Sequence, residues 1–138
     1  MNKKYEFTGD TLNHCGRILH RIRRISDGLV GGWIEKEENL SHDGGCFVYD
    51  NAQVFGDAKI SGNAKISGDA LVYGNAWVYR NAWVYGNAQV YGNAQVGNVE
   101  VSGDAQVYGD VWIRGNALVS GDVRIRGRMA DLETEKEE

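Results

Sequence analysis

The chain of 138 residues is long enough for one domain, and its 42% hydrophobic and 25% charged residues are ordinary globular proportions. Nineteen glycines with no proline exclude collagen and polyproline linkers, and 4 Trp, 7 Tyr and 3 Phe exclude an intrinsically disordered chain. No apolar run reaches membrane-spanning length, the start MNKKYEFTGD has no secretory apolar core, two cysteines are too few for a disulfide framework, and a net charge of −4 disfavours a general nucleic-acid binder.

Taken in chain order, residues 1–45 break any regular pattern and predict an N-terminal cap. KKYEFTG and RILHRIRRI read as strands with the turn-rich TLNHCG between them. GGWIEKEENLSHDGG then leads into the regular part. Seven basic residues balance seven acidic ones over this stretch.

From residue 46 to residue 127 the chain is a six-residue repeat, running NAQVFG, DAKISG, NAKISG, DALVYG and onward to DVRIRG. An aliphatic residue recurs every six residues from Val48 to Ile125, except that Val96 and Val101 are five apart, so one residue is missing near Gly97–Asn98. Two before each aliphatic stands a small residue, usually Ala. Side chains two apart on a strand share a face, so these two columns point inward. Gly followed by Asn or Asp supplies a turn, because both tolerate left-handed backbone angles. Three such corners close a triangular coil of about 18 residues, and coils stack about 4.8 Å apart. The expected fold is therefore all-β: a left-handed parallel β-helix of about four to five coils with a small N-terminal cap. Proline would interrupt the ladders between coils, which accounts for its absence. Residues 128–138, RMADLETEKEE, carry net charge −3 and read as an acidic tail.

An 18-residue period stacks the outward residues into columns. The first face carries Phe55, Tyr73, Tyr91, Tyr108 and Arg126, beside Gln53, Leu71, Gln89, Gln106 and Arg124. The second carries Tyr49, Ser67, Tyr85, Ser102 and Ser120, beside Phe47, Lys65, Trp83, Glu100 and Leu118. The third carries Ser61, Tyr79, Gly97 and Arg114, beside Lys59, Trp77, Gln95 and Trp112.

The hexads resemble the hexapeptide-repeat family of left-handed β-helix proteins over residues 46–127. The whole chain is similar to a narrower group, short phage- and prophage-encoded repeat proteins with an N-terminal cap; LHRIRRI, GGWIEKEENLS and CFVYDNAQV carry that likeness. The resemblance implies trimers, with acyltransferase activity in many members and a zinc carbonic anhydrase in one branch. Those activities need histidines on the coils or on loops leaving them. Here His14, His20 and His42 all lie in the cap and their spacing is not a ligand motif, so no catalytic residue, metal or cofactor is expected. Cys46 occupies an inward small position and reads as packing. Cys15 sits in a turn near His14 and Arg17, which could lower its pKa, but a bland surface thiol is the simpler reading. Threonine ladders for ice binding are absent from the repeats, and the turn aspartates lack the nine-residue period of calcium repeats.

Two surface features remain. Exposed aromatic columns mark interfaces, which makes Phe55, Tyr73, Trp77, Tyr79, Trp83, Tyr85 and Tyr91 the expected oligomer contact, with a homotrimer favoured. Arg114, Arg124, Arg126 and Arg128 gather near Tyr108 and Trp112 on the last coil, a mixture suited to a nucleotide-like anion at a groove between protomers. The competing reading is solvated charge balanced by Asp131, Glu133 and Glu135. The run Arg17, Arg21, Arg23, Arg24 reads as an exposed strand face. The sequence thus leads to a non-enzymatic binding protein of the cytoplasm, the host's if phage-encoded, that self-associates and sequesters a small anion, such as a host-defence signal. A purely structural spike-like module and a hexapeptide-type acyltransferase are the alternatives.

Overall fold

The computed structural model describes residues 3–113 and 118–129, the last four of these as backbone alone. Its repeating element is a rung of two or three residues whose aliphatic member is buried, as at Gln53–Val54, Lys59–Ile60 and Lys65–Ile66. Rungs one coil apart pair in parallel and build three faces of a β-solenoid. The first face aligns Gln53, Leu71, Gln89, Gln106 and Arg124. The second aligns Phe47, Lys65, Trp83, Glu100 and Leu118. The third aligns Lys59, Trp77, Gln95 and Trp112. These are the expected columns, and the described members of the expected inward Ala and Val/Ile columns line a core at 0–1% exposure from Ala52 to Ile113, with Val119 beyond. Among the described residues no helix is long and apolar enough to cross a membrane.

The corners explain the glycines. Two residues after the aliphatic of each rung from Val48 to Val107 the chain takes a positive φ, as at Gly62 (65°) and Gly74 (72°). The corners also stack: a Cβ on Gly62 would come 2.7 Å from the amide nitrogen of Arg80 in the next coil. Amides after the corner donate to the corner carbonyl one coil on, for example Asn63 to Arg80 at 2.8 Å and Asn75 to Gly92 at 2.7 Å. At the short step, Asn98 takes the corner conformation (φ 62°), and its side-chain Oδ1 accepts from the Asn81 amide at 3.1 Å where other coils use a backbone carbonyl.

The solenoid begins earlier than the repeat does. Strand β3 (Val30–Ile34) pairs in parallel with the first face, Trp33 opposite Gln53 and Ile34 opposite Val54. Leu40 bridges to Ile60 on the third face, and Phe47–Val48 completes the turn on the second. Ile34 and Leu40 are six apart and fully buried, so they extend the aliphatic series into the segment expected to be cap. The step from Leu40 to Val48 holds eight residues, and the two extra ones hide the period. With these rungs counted, about five coils stack.

Before β3 come β1 (Tyr5–His14) and β2 (Arg17–Arg24), an antiparallel hairpin whose second strand pairs antiparallel with β3. TLNHCG is not mainly turn. Thr11–His14 continues β1, and only Cys15 (φ 53°) and Gly16 (φ 84°) reverse the chain, a pair of positive angles that suits a two-residue hairpin loop. The hairpin contributes Tyr5 and Ile22 to the core cluster.

Candidate functional site

On the first face, four rings share one spacing. Phe55–Tyr73, Tyr73–Tyr91 and Tyr91–Tyr108 each stack with centroids 4.9 Å apart and planes 2° apart. The coil repeat dictates this, because identical rotamers on successive rungs lie parallel at the ladder spacing. Tyr73 and Tyr91 have rings stacked on both faces, whereas Phe55 and Tyr108 end the stack. Tyr73 and Tyr91 donate their hydroxyls to Gln89 at 3.4 Å and Gln106 at 3.1 Å, one coil on. Burial, with Tyr91 alongside, raises the Tyr73 phenol above its ordinary value, so it stays neutral. The neighbouring column from Gln53 through Leu71 and Gln89 to Gln106 carries no charge. At the cap end, the His14 ring lies 5.1 Å from Phe55 and the Arg17 guanidinium 5.7 Å above it.

The other two faces are built differently. Lys59-Ile60-Ser61 and Lys65-Ile66-Ser67 lie one coil below Trp77-Val78-Tyr79 and Trp83-Val84-Tyr85, Lys opposite Trp in both. Each indole N–H donates to the serine below, Trp77 to Ser61 at 3.2 Å and Trp83 to Ser67 at 3.1 Å. Each indole also leans on its own tyrosine, with centroids 5.0 Å and 4.4 Å apart. Trp77 and Trp83 remain 43% and 40% exposed. Between the two units stands the corner residue Arg80 (φ 57°), its guanidinium 5.8 Å from the Tyr79 centroid. A shallow groove lined by Asp57, Lys59, Asn75, Ala76 and Trp77 flanks the third-face unit. Higher on that face the Tyr79 ring lies over Gly97, where a Cβ would meet it at 2.8 Å, and Trp112 donates its indole N–H to the Tyr79 hydroxyl at 2.8 Å.

The residues expected to form an anion site divide between faces. Tyr108 closes the aromatic stack of the first face, with exposed Arg124 on the next rung and the Arg126 backbone opposite it. Trp112 lies around the corner on the third face. Arg114 and the side chains of Arg126 and Arg128 lie outside the described residues. The expected interface residues likewise divide, Phe55, Tyr73 and Tyr91 from Trp77, Tyr79, Trp83 and Tyr85. Lys59, Lys65 and Arg80 were not expected to matter. The doubled KIS and WVY triplets at an 18-residue offset were the signal that could have found them.

The arginines of the cap are ties rather than a bare face. Arg17 pairs with Glu35, Arg23 with Glu6 and Arg24 with Asp27, while Arg21 donates to the Gly31 carbonyl and lies 4.9 Å over Trp33. Hydrogen bonding from Arg24 and from the Leu29 amide brings the Asp27 carboxyl down to about 2. The three histidines are separate: His14 beside Phe55, His20 stacked on Phe7 at 4.4 Å, and His42 stacked on Tyr5 at 4.1 Å with Nε2 3.1 Å from Glu37. Among the described residues no three His, Cys, Asp or Glu side chains gather as metal ligands. Cys46 is fully buried with the Lys4 ammonium 3.4 Å from its sulfur, and Cys15 is exposed in the hairpin turn.

Residues 64–80, which hold the rungs at Ile66, Val72 and Val78, match the model of the YdcK β-solenoid repeat family. No curated protein matches the chain. Together with the stacked coils, the match shows a β-solenoid repeat protein.

Proposed function

We propose that this β-solenoid is a non-enzymatic binding module that self-associates through its first face, as a homotrimer, and holds a small nucleotide-like anion where that face ends. The observation that carries the reading is the first face itself. From Gln53 to Tyr108 it presents four stacked rings and a neutral column with no formal charge, already rigid in the single chain. Rigid aromatic surfaces associate with little further loss of side-chain freedom, and charge-poor patches rich in tyrosine characterise interface cores. At the Tyr108 end the charge changes abruptly to Arg124 and Arg126 on the following rung. Anions held there would lie between copies, which fits sequestration rather than turnover.

Sedimentation analysis tests the association: wild type runs as a trimer, and Leu71→Glu, which plants a carboxylate mid-face, runs as a monomer. A monomeric wild type overturns the reading. The paired change Arg124→Ala with Arg126→Ala keeps the trimer and loses nucleotide binding in calorimetry. A trimer that binds no anion at any concentration leaves the chain as a structural spacer.

A further inference from the structure

We propose that the second and third faces carry two related sites, one on each Trp–Tyr unit, for a small ligand that joins a planar ring to a phosphate-type anion. This goes beyond the self-associating first face and the arginine end proposed above. It stands on residues that neither of those uses.

The argument starts from the repetition. One hexad pair, KIS below WVY, occurs twice in succession, so the fold places two copies of one side-chain arrangement around a single corner. The copies agree in detail: the same Trp-to-Ser hydrogen bond, the same tilted tyrosine and nearly the same exposure of the indole. The serine takes up the one polar group of the indole, so what each tryptophan offers is its apolar ring, held in place. Elsewhere the aromatics are spoken for. The first-face rings cover one another, Arg21 lies over Trp33, and Trp112 is tied to Tyr79. Trp77 and Trp83 are the tryptophans whose exposure reaches 40%.

Charge then selects the ligand. Lys59 lies on the rung below Trp77, Lys65 on the rung below Trp83 and Arg80 at the corner between the two units, and among the described residues none of them has a carboxylate within ion-pair distance, although the chain as a whole carries −4. Asp57, on the groove beside Trp77, has its own charge engaged by Lys36 at 2.9 Å. Unpaired cations beside a bare ring suit an anion with a planar part: the ring stacks, the ammonium or guanidinium meets the phosphate. The two sites differ in their acidic neighbours: Asp57 flanks Trp77, whereas the neutral Asn63 holds the matching place in the Trp83 unit. On the rung above Trp77 the residue is Gln95, whereas above Trp83 it is Glu100, which accepts from the Tyr85 hydroxyl at 3.1 Å. Asp57 is paired with Lys36, whereas Glu100 has no ion pair among the described residues, so its uncompensated charge makes the second-face site the weaker of the two.

Titration calorimetry of the full chain with AMP, ATP, inorganic phosphate and a short oligothymidylate tests this. The expected result for AMP is two sites per chain beyond any at Arg124, the tighter lost in Trp77→Leu and both lost in the Trp77→Leu, Trp83→Leu pair. Lys59→Gln weakens the tighter site about tenfold and flattens its salt dependence. Should the paired tryptophan variant fail to fold, Lys59→Gln with Lys65→Gln carries the test with both rings intact. Unchanged stoichiometry in the tryptophan pair overturns the proposal. So does phosphate binding as tightly as AMP, or oligothymidylate displacing AMP at equal nucleotide concentration. Sedimentation of the same variants stays trimeric, so failure of these sites is separable from failure of the first-face association. Loss of AMP only on changing Arg124 and Arg126 supports the earlier site and defeats this one.

Discussion

Residues 30–48 and residues 54–66 each complete one turn of the same prism, yet they are closed by different means. In the later turn, aliphatic residues fall six apart at Val54, Ile60 and Ile66, and the corners close by backbone, through Gly56 and Gly62 at φ 68° and 65°. In the earlier turn the spacing is six and then eight, and the corner after Glu35 closes on one buried side chain. Asn39 accepts from the Glu35 and Lys36 amides at 3.0 and 2.9 Å and donates to the Gly56 and Ala58 carbonyls at 3.1 and 2.8 Å. A ladder can be propagated by repeating one rung, because each rung is templated by the last. Starting the ladder requires side chains that exist once. The load is shared in the regular coils and concentrated at the first.

The sharpest way to break the contrast is Asn39→Ala. Asn39 is fully buried, so the change removes one partner from two amides and two carbonyls, of which the Glu35 amide keeps the Val54 carbonyl and the Ala58 carbonyl bond is the fully buried one. The expected loss is about 3 kcal/mol in denaturant melts. A shared-load corner should cost less. Gly74→Ala meets both a positive φ of 72° and a Cβ 2.9 Å from the Gly92 nitrogen, for an expected loss of about 2 kcal/mol. Arg80 holds the same corner place with φ 57°, so Arg80→Gly should raise stability by about 0.5–1 kcal/mol. If Gly74→Ala costs more than Asn39→Ala, the comparison is wrong.

A smaller effect probes how far load-sharing extends along the first face. Tyr91 stacks on two rings, Tyr73 and Tyr108, whereas Tyr108 stacks on Tyr91 alone among the described rings. Tyr91→Ala should cost about 1–2 kcal/mol and Tyr108→Ala about half as much, since a stacked pair contributes about 0.5–1.5 kcal/mol beyond burial. Equal losses would mean that the rings are passengers on the ladder.

The same contrast explains what could be read from the sequence. The coils were legible because one period fixes everything about them: Val48 to Ile125 gives the core, and an offset of 18 gives the columns, including the stack from Phe55 to Tyr108. The first turn was not, because Ile34 and Leu40 are separated from the series by the eight-residue step and their corner rests on Asn39, a residue whose type alone announces nothing. Gly31 and Gly32 read only as the start of a lead-in to the coils, but they are a close approach, with Cβ positions 2.4 Å from the Val48 carbonyl and 2.5 Å from the Ala52 carbonyl. The surface was legible by column and not by chemistry. Tyr91 and Trp83 both read as exposed aromatics, and only geometry separates a ring stacked on both sides from one whose indole is pinned by Ser67.

The smallest expected effect is acid loosening of the first turn, at Glu37. Its carboxylate meets His42 at 3.1 Å and Lys3 at 3.2 Å, and these two hydrogen bonds hold its pKa below the ordinary value, His42 contributing more. A carboxyl with a depressed folded pKa adds stability that is present above its unfolded value and lost as pH falls through the folded one. The window therefore opens near the ordinary glutamate value of about 4.3 and extends downward. The carboxylate is 45% exposed, so water screens the pairs and the effect stays local. It should nonetheless reach the cap, since His42 stacks on Tyr5, and Tyr5 donates its hydroxyl to the carbonyls of Glu37 and Leu40. Hydrogen exchange should show the amide of Lys4, which donates to His42 Nδ1 at 3.0 Å, losing protection as pH falls through that window while the amides of the regular coils, such as Tyr73 to Val90, keep theirs. Glu37→Gln should bring the same loss of protection at neutral pH and remove the acid step. Uniform loss across cap and coils would place the acid-sensitive contact in the shared ladder instead.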